Sequence, residues 1–116
     1  MGNNVIYKLS KGFALRIIDL YSYLYYEKKE LIISKQIYRS GTSIGANIAE
    51  SIYAQSEADY INKLKISLKE ASETKYWLEL LYESNLIDEA RFNSLSNDIN
   101  TIIGTTINII NKLNKK

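Results

Sequence analysis

Four stretches of the chain repeat their apolar residues at intervals of three and four, and this spacing constrains the fold more than any other feature. It places apolar side chains on one face of an α-helix, whereas a half-buried strand would alternate every two residues. The sequence contains no proline and only 5 glycines, so few positions interrupt these helices. It therefore predicts an all-α protein, with helices over residues 5–29, 34–54, 57–84 and 88–114.

The first two segments each carry one apolar stripe. Asn4 and Ser10 are the candidate N-caps of the first helix, which we expect to end near Lys28 or Lys29, where cations suit a helix C-terminus. Ser34 is the predicted N-cap of the second helix. The stripes are Ile6, Leu9, Phe13, Ile17, Leu20 and Leu24 in the first segment, and Ile37, Gly41, Ile44, Ile48 and Ile52 in the second.

The third segment opens with Ser56 and Asp59, which predict a capping box with Asp in place of Glu. A second apolar stripe, made of Ile66, Trp77 and Leu80, lies roughly 150° from the core stripe at 100° per residue. The core stripe comprises Ile61, Leu64, Leu68, Ala71, Leu78 and Leu81.

The fourth segment follows a predicted turn at Ser84 and Asn85, with Asp88 as its cap. Its apolar residues alternate steps of three and four, and Ile103 and Ile110 broaden this seam. The seam comprises Phe92, Leu95, Ile99, Ile102, Thr106, Ile109 and Leu113. Short connections make successive helices antiparallel, so the predicted architecture is an up-down-up-down four-helix bundle forming a single domain over residues 1–116.

The run from Arg39 to Glu50 contains Gly41 and Gly45 and has two interpretations. A phosphate-binding loop needs a preceding strand and a following Lys-Ser/Thr pair, and this run has neither. A helix explains more, because the cost of glycine in a helix is offset when a neighbouring helix packs closely against it. We therefore predict a tightly packed second helix.

The other side of this helix presents Arg39, Ser43, Asn47 and Glu50. If the second and third helices form a hairpin that turns near Gln55, Arg39 lies near Glu70 and Glu73, and Glu50 lies near Lys63. We predict the pairs Arg39–Glu73, or Arg39–Glu70, and Glu50–Lys63, in a buried network that sets the register of the two helices. Solvated charges are the alternative. The predicted network comprises Arg39, Ser43, Asn47, Glu50, Lys63, Glu70 and Glu73.

The run QIYRSGTSIGANIAE at 36–50 resembles the signature of the bacterial four-helix-bundle proteins first named for intervening sequences in 23S rRNA genes. The resemblance covers most of the chain and is weakest in the fourth helix and the first nine residues. It continues through residues 13–17, 55–56, 59–60, 63–64, 66, 68–70 and 73–78.

This resemblance implies an up-down bundle that assembles as a ring-shaped homopentamer, with no catalytic residues. A related branch of the family serves as the accessory protein of diversity-generating retroelements, where it binds the reverse transcriptase and nucleic acid through a basic surface. This chain departs from that branch, since its net charge is only +2.

Three functions compete on these observations. The first is a cytoplasmic, non-catalytic assembly module whose partner is itself, with Ile66, Trp77 and Leu80 as the candidate interface. The second is binding of RNA, of DNA or of a reverse transcriptase. Its candidate contacts are Lys63, Lys65, Lys69, Lys75, Lys112, Lys115 and Lys116.

An enzyme is the third function, and composition disfavours it. The chain has no histidine and no cysteine, which excludes the Glu-x-x-His sites of di-iron bundles and thiolate metal sites. We therefore expect no cofactor, no metal and no catalytic residue. No apolar run approaches the ~18 residues of a membrane span, so we also expect no membrane partner.

Overall fold

The computed structural model describes residues 4–115, which form four helices joined by short loops. The first helix is continued by a π-helical turn over Tyr23–Glu27. The helices are α1 over Asn4–Ser22, α2 over Ile33–Ser51, α3 over Glu57–Glu83 and α4 over Glu89–Asn114.

The helices form an elongated bundle that measures 47 × 21 × 18 Å along its principal axes. α2 packs against α1 and α3, and α4 closes the bundle by packing against α3 and α1. Because the loops are short, each helix runs antiparallel to the one before it. The predicted all-α, up-down-up-down four-helix bundle is confirmed.

The core is built from the apolar stripes that the sequence predicts. In α1 and the π-helical turn that continues it, all members of the first stripe are buried except Leu9, which is half-buried. In α4 the seam is buried from Leu95 to Thr106 and half-buried at its ends. The prediction that Ile52 belongs to the core is wrong. Because α2 ends at Ser51 and a tight turn follows, the side chain of Ile52 remains 41% exposed.

Two of the predicted N-caps form. Ser56 Oγ accepts a hydrogen bond from the backbone N–H of Asp59 at 3.0 Å, and Asp88 Oδ1 accepts one from that of Arg91 at 2.8 Å. Asp59 Oδ2 in turn accepts a hydrogen bond from the backbone N–H of Gln55 at 3.2 Å. A capping box would place this bond one residue later, at the N–H of Ser56.

Two other predicted caps are wrong. Ser10 lies inside α1, where it is buried and donates to Tyr7 O at 3.1 Å. Ser34 lies in the first turn of α2, and the Glu30 carboxylate caps that helix instead. Glu30 accepts from the N–H groups of Ser34 at 2.6 Å and Ile32 at 3.2 Å. A carboxylate suits this position because it meets the positive end of the helix dipole.

The helical path of the first segment ends at Lys28, as predicted, but its last turn is wider than an α-helix. Lys28 N–H donates to Tyr23 O at 3.2 Å, five residues back. Lys29 then takes φ 56°, and Asn85 takes φ 63° after α3. Residues in this left-handed region terminate helices, and glycine or asparagine is the usual choice there.

Candidate interaction surfaces

The structure brings together the charged residues predicted on the outer edges of α2 and α3. Arg39 donates to Glu70 Oε2 at 3.1 Å and also to Glu73 Oε2. Trp77 Nε1–H donates to the same Glu73 oxygen at 2.9 Å. The hydrogen bond from Trp77, together with the guanidinium of Arg39, lowers the pKa of Glu73 below its usual value.

The second predicted pair also forms: Lys63 Nζ lies 3.1 Å from Glu50 Oε1. Both predicted pairs are therefore present, but the expected burial is wrong. The side chain of Arg39 is 50% exposed and that of Glu50 60%. Such exposed pairs contribute at most ~1 kcal/mol each.

Ser43 and Asn47 do not join these pairs. Ser43 Oγ donates to the Arg39 carbonyl at 2.6 Å, and Asn47 Nδ2 donates to the Ser43 carbonyl at 2.9 Å. Both side chains therefore bond within α2. Short polar side chains in a helix commonly hydrogen-bond to a backbone carbonyl of the preceding turn in this way.

Small side chains bring α2 close to α3, a contact that sequence reasoning did not identify. Thr74 Oγ1 donates to Ser40 Oγ at 2.8 Å, and Ser67 Oγ donates to the Ile44 carbonyl at 2.9 Å. All three hydroxyl residues are buried. The available signal was the helical phase of Ser67 and Thr74, which follow the core stripe of α3 alongside Ala71.

The glycines of α2 face α1. A Cβ added at Gly41 would lie 2.8 Å from Ile17 Cγ1, and one added at Gly45 would lie 3.3 Å from Ser10 Oγ. α2 is therefore covered on two sides, by α1 at its glycines and by α3 at its hydroxyls. The Gly-containing run is a packed helix and has no loop that could surround a phosphate.

The candidate interface residues Ile66, Trp77 and Leu80 lie on α3 and are half-buried. Trp77 packs on the core and uses its N–H to bond Glu73, as described above. Packing within the bundle therefore buries part of this second stripe, and the more exposed apolar side chains lie elsewhere.

One exposed apolar surface lies on α1, the π-helical turn and α2. Leu15 is 59% exposed and Ile18 41% exposed on the outer side of α1. One turn further on lies a tyrosine cluster, defined as Tyr21, Tyr25, Tyr26 and Tyr38. Tyr21 contacts Tyr38 with ring centroids 4.9 Å apart and Tyr25 at 5.3 Å, and Tyr25 contacts Tyr26 at 5.0 Å.

A second surface is the α3–α4 groove, a depression of about 470 Å³ between these helices. Half-buried Leu68 and Ile103 contribute apolar surface inside it. Tyr76, at 54% exposure, and Ile107, at 41%, are its most accessible apolar residues. Its complete lining is Leu68, Ser72, Lys75, Tyr76, Glu79, Ile103 and Ile107.

The candidate nucleic-acid contacts do not form one patch. Lys63 is paired with Glu50, and Lys75 lines the α3–α4 groove. Lys65 and Lys69 are exposed on α3. Lys112 and Lys115 are exposed at the end of α4, and Lys116 lies outside the described residues.

A further ion pair joins α1 to α4. Arg16 Nη1 lies 2.6 Å from Asp98 Oδ2, and Arg16 Nη2 donates to Ser94 Oγ at 2.9 Å.

Across residues 4–115, no three His, Cys, Asp or Glu side chains come together as a metal-binding group. None of the helices described for these residues has the length and apolar character needed to cross a membrane.

A family model and a solved structure match this chain. A family model described as the 23S rRNA-intervening sequence protein matches residues 2–108. The chain is also similar to a crystal structure from Bacteroides thetaiotaomicron VPI-5482, a protein of unknown function from the S23 ribosomal protein family. The two share 53% identity with a TM-score of 0.93, over 96% of this chain and 99% of the other. No curated protein matches the sequence.

Proposed function

Because this chain belongs to the 23S rRNA-intervening sequence protein family, we propose that it is a non-catalytic, cytoplasmic assembly module that associates with copies of itself. The family resemblance implies a closed ring of five. Such a protein acts by presenting surfaces in a fixed arrangement, so the relevant groups are exposed apolar side chains and not reactive ones.

One observation carries this proposal: the apolar surface formed by Leu15, Ile18 and the tyrosine cluster. Single exposed apolar residues are ordinary on a soluble protein, whereas large contiguous apolar patches mark interaction sites. Ile18 and Tyr21 are three residues apart on α1 and therefore neighbours on its surface. Tyrosine is enriched in interfaces because it contributes a large apolar ring and a hydroxyl that tolerates water.

The test is the mass of the wild-type protein in solution, measured by light scattering across the micromolar range. A stable multiple of the mass of one chain is expected, and five copies is the number that the resemblance implies. The mass of one chain throughout this range would refute the proposal.

Binding of single-stranded RNA or DNA is the second candidate function. Exposed Lys65 and Lys69 lie on α3 with exposed Tyr76, and bases stack on accessible aromatic rings beside cationic side chains. Repetition around a ring would multiply this small basic surface. The same surface could act in a complex with a reverse transcriptase, the partner found in the related branch.

Fluorescence anisotropy with a labelled oligonucleotide tests this second function. We expect affinity to fall as salt rises from 50 to 200 mM, because phosphate contacts release counterions. A Lys65→Glu/Lys69→Glu variant should lose binding, whereas Lys8→Glu/Lys35→Glu, with the same charge change on α1 and α2, should retain most of it. Equal losses in both variants would show that only net charge matters.

A further inference from the structure

The outer side of α1 carries a short ridge with a defined charge pattern, here called the α1 ridge and defined as Lys11, Leu15, Ile18 and Asp19. Leu15 and Ile18 form its apolar centre. Lys11 lies one turn before Leu15, and Asp19 lies one turn after it. The ridge therefore presents a cation, two apolar side chains and a carboxylate in chain order.

The α3–α4 groove has features that complement this ridge. Its interior is apolar at Leu68 and Ile103, and its volume of about 470 Å³ remains unfilled by the bundle. Lys75 and Glu79 lie on its α3 side, one turn apart. The groove therefore offers an apolar depression with one cation and one carboxylate at its edge.

The charges select one orientation of the ridge against α3. If the two helices are antiparallel, Lys11 approaches Glu79 and Asp19 approaches Lys75. If they are parallel, like charges face each other, which disfavours that arrangement. Lys11 and Asp19 are about 12 Å apart along α1, and Lys75 and Glu79 about 6 Å along α3. The flexible lysine stems can span this difference.

Two helical glycines lie next to these surfaces. Gly41 and Gly45 have neighbours inside the bundle, but a Cβ added at Gly12 or Gly104 would meet nothing within 4 Å. Glycine weakens a helix interior, and no close neighbour within the protomer explains its presence at these two positions. Gly12 lies one turn before Leu15, and Gly104 lies one turn before Ile107. Gly12 lines a depression between α1 and α4, and Gly104 lies outside the lining of the α3–α4 groove, so both glycines are next to the two surfaces but not part of them.

We propose that the α1 ridge of one copy docks into the α3–α4 groove of a second copy, antiparallel to its α3. This inference rests on the proposed self-association and names the surfaces that produce it. The contact is heterologous, since ridge and groove are different parts of the chain. An open assembly always keeps one free ridge and one free groove, so it adds copies, and it closes into a ring where the rotation between successive copies brings these two ends together.

Complementation between two variants tests this assignment. Leu15→Asp removes the ridge and leaves the groove, whereas Ile107→Asp removes the groove and leaves the ridge. Each variant alone should have the mass of one chain. Because one intact ridge and one intact groove remain in their mixture, an equimolar mixture should yield particles of two chains and nothing larger.

Ile52→Asp is the matched control, because Ile52 has the same 41% exposure as Ile107 and lies outside both surfaces. It should keep the wild-type mass. All of these variants replace exposed side chains, so their circular dichroism spectra should match that of the wild type and their thermal unfolding should stay cooperative, which establishes that they fold.

A charge exchange tests the orientation. Lys11→Glu should weaken association about two- to fivefold, the range expected for a pair at the edge of an interface. The double variant Lys11→Glu/Glu79→Lys should recover it. A double variant weaker than Lys11→Glu alone would overturn the antiparallel arrangement.

The outcomes separate this inference from the proposed function. A wild-type protein with the mass of one chain refutes both. A wild-type oligomer whose mass survives Leu15→Asp and Ile107→Asp refutes only the assigned surfaces. A mixture of the two variants that stays at one chain shows that the ridge does not pair with the groove and overturns the assignment. An Ile107→Asp variant that keeps associating with itself, while Leu15→Asp does not, indicates contact between two ridges and also overturns it.

Discussion

Replacing Gly41 with alanine tests the close approach of α1 and α2. The new methyl carbon would lie 2.8 Å from Ile17 Cγ1 and 2.9 Å from Ile17 Cγ2. Ile17 is fully buried, and a β-branched side chain in a helix has essentially one χ1 rotamer. Ile17 therefore cannot turn away, and either the helix backbones separate or the contact remains strained.

The magnitude follows from two opposing effects. Overpacking a well-filled core costs about 1–3 kcal/mol, and alanine is about 1 kcal/mol better than glycine inside a helix. Gly41→Ala should therefore lower the free energy of unfolding by about 0–2 kcal/mol. Gly12→Ala adds a methyl group that meets nothing within 4 Å, so it should raise that free energy by about 1 kcal/mol.

The assay is urea denaturation of both variants and the wild type at two protein concentrations a factor of ten apart, because association makes the midpoint depend on concentration. The difference between Gly12→Ala and Gly41→Ala isolates the steric cost of about 1–3 kcal/mol. In an Ile17→Ala variant the side-chain atoms that the new methyl group would meet are absent, so adding Gly41→Ala should no longer carry this steric cost. If Gly41→Ala stabilises the wild type as much as Gly12→Ala does, α1 and α2 are not in close contact there.

Three further predictions concern single side chains. Ser34→Ala removes a buried hydroxyl that has no hydrogen-bond partner, so urea denaturation should show unchanged stability or a gain of up to ~1 kcal/mol. Glu73 has a lowered pKa because Trp77 donates to it. Its contribution to stability is complete above the unfolded pKa of ~4.3 and is lost as pH falls through the lowered value. The unfolding free energy of Glu73→Gln should thus vary less with pH below ~4.3, and a slope equal to the wild type would contradict this. Lys29→Gly relieves a positive φ and should raise the melting temperature, by more than Asn85→Gly does, because asparagine tolerates that conformation.

The sequence by itself determined the helices, their order and which edges of α2 and α3 meet. Helical periodicity is a local property, so the stripe from Ile6 to Leu24 and the seam of α4 could be identified without tertiary information. The pairs Arg39–Glu73 and Glu50–Lys63 were also predictable, because a short turn between antiparallel helices relates positions on one helix to positions on the other.

Only the tertiary structure decided how much of each face a neighbour covers. Periodicity gives the angular position of a residue but not the distance to the next helix, so the same reasoning overestimated the burial of Arg39. It also missed the burial of Ser34 and the hydroxyl contacts of Thr74. The groove beside Ile107 and the open space at Gly12 likewise depend on how closely four helices pack, and that distance is set by side chains from all of them at once.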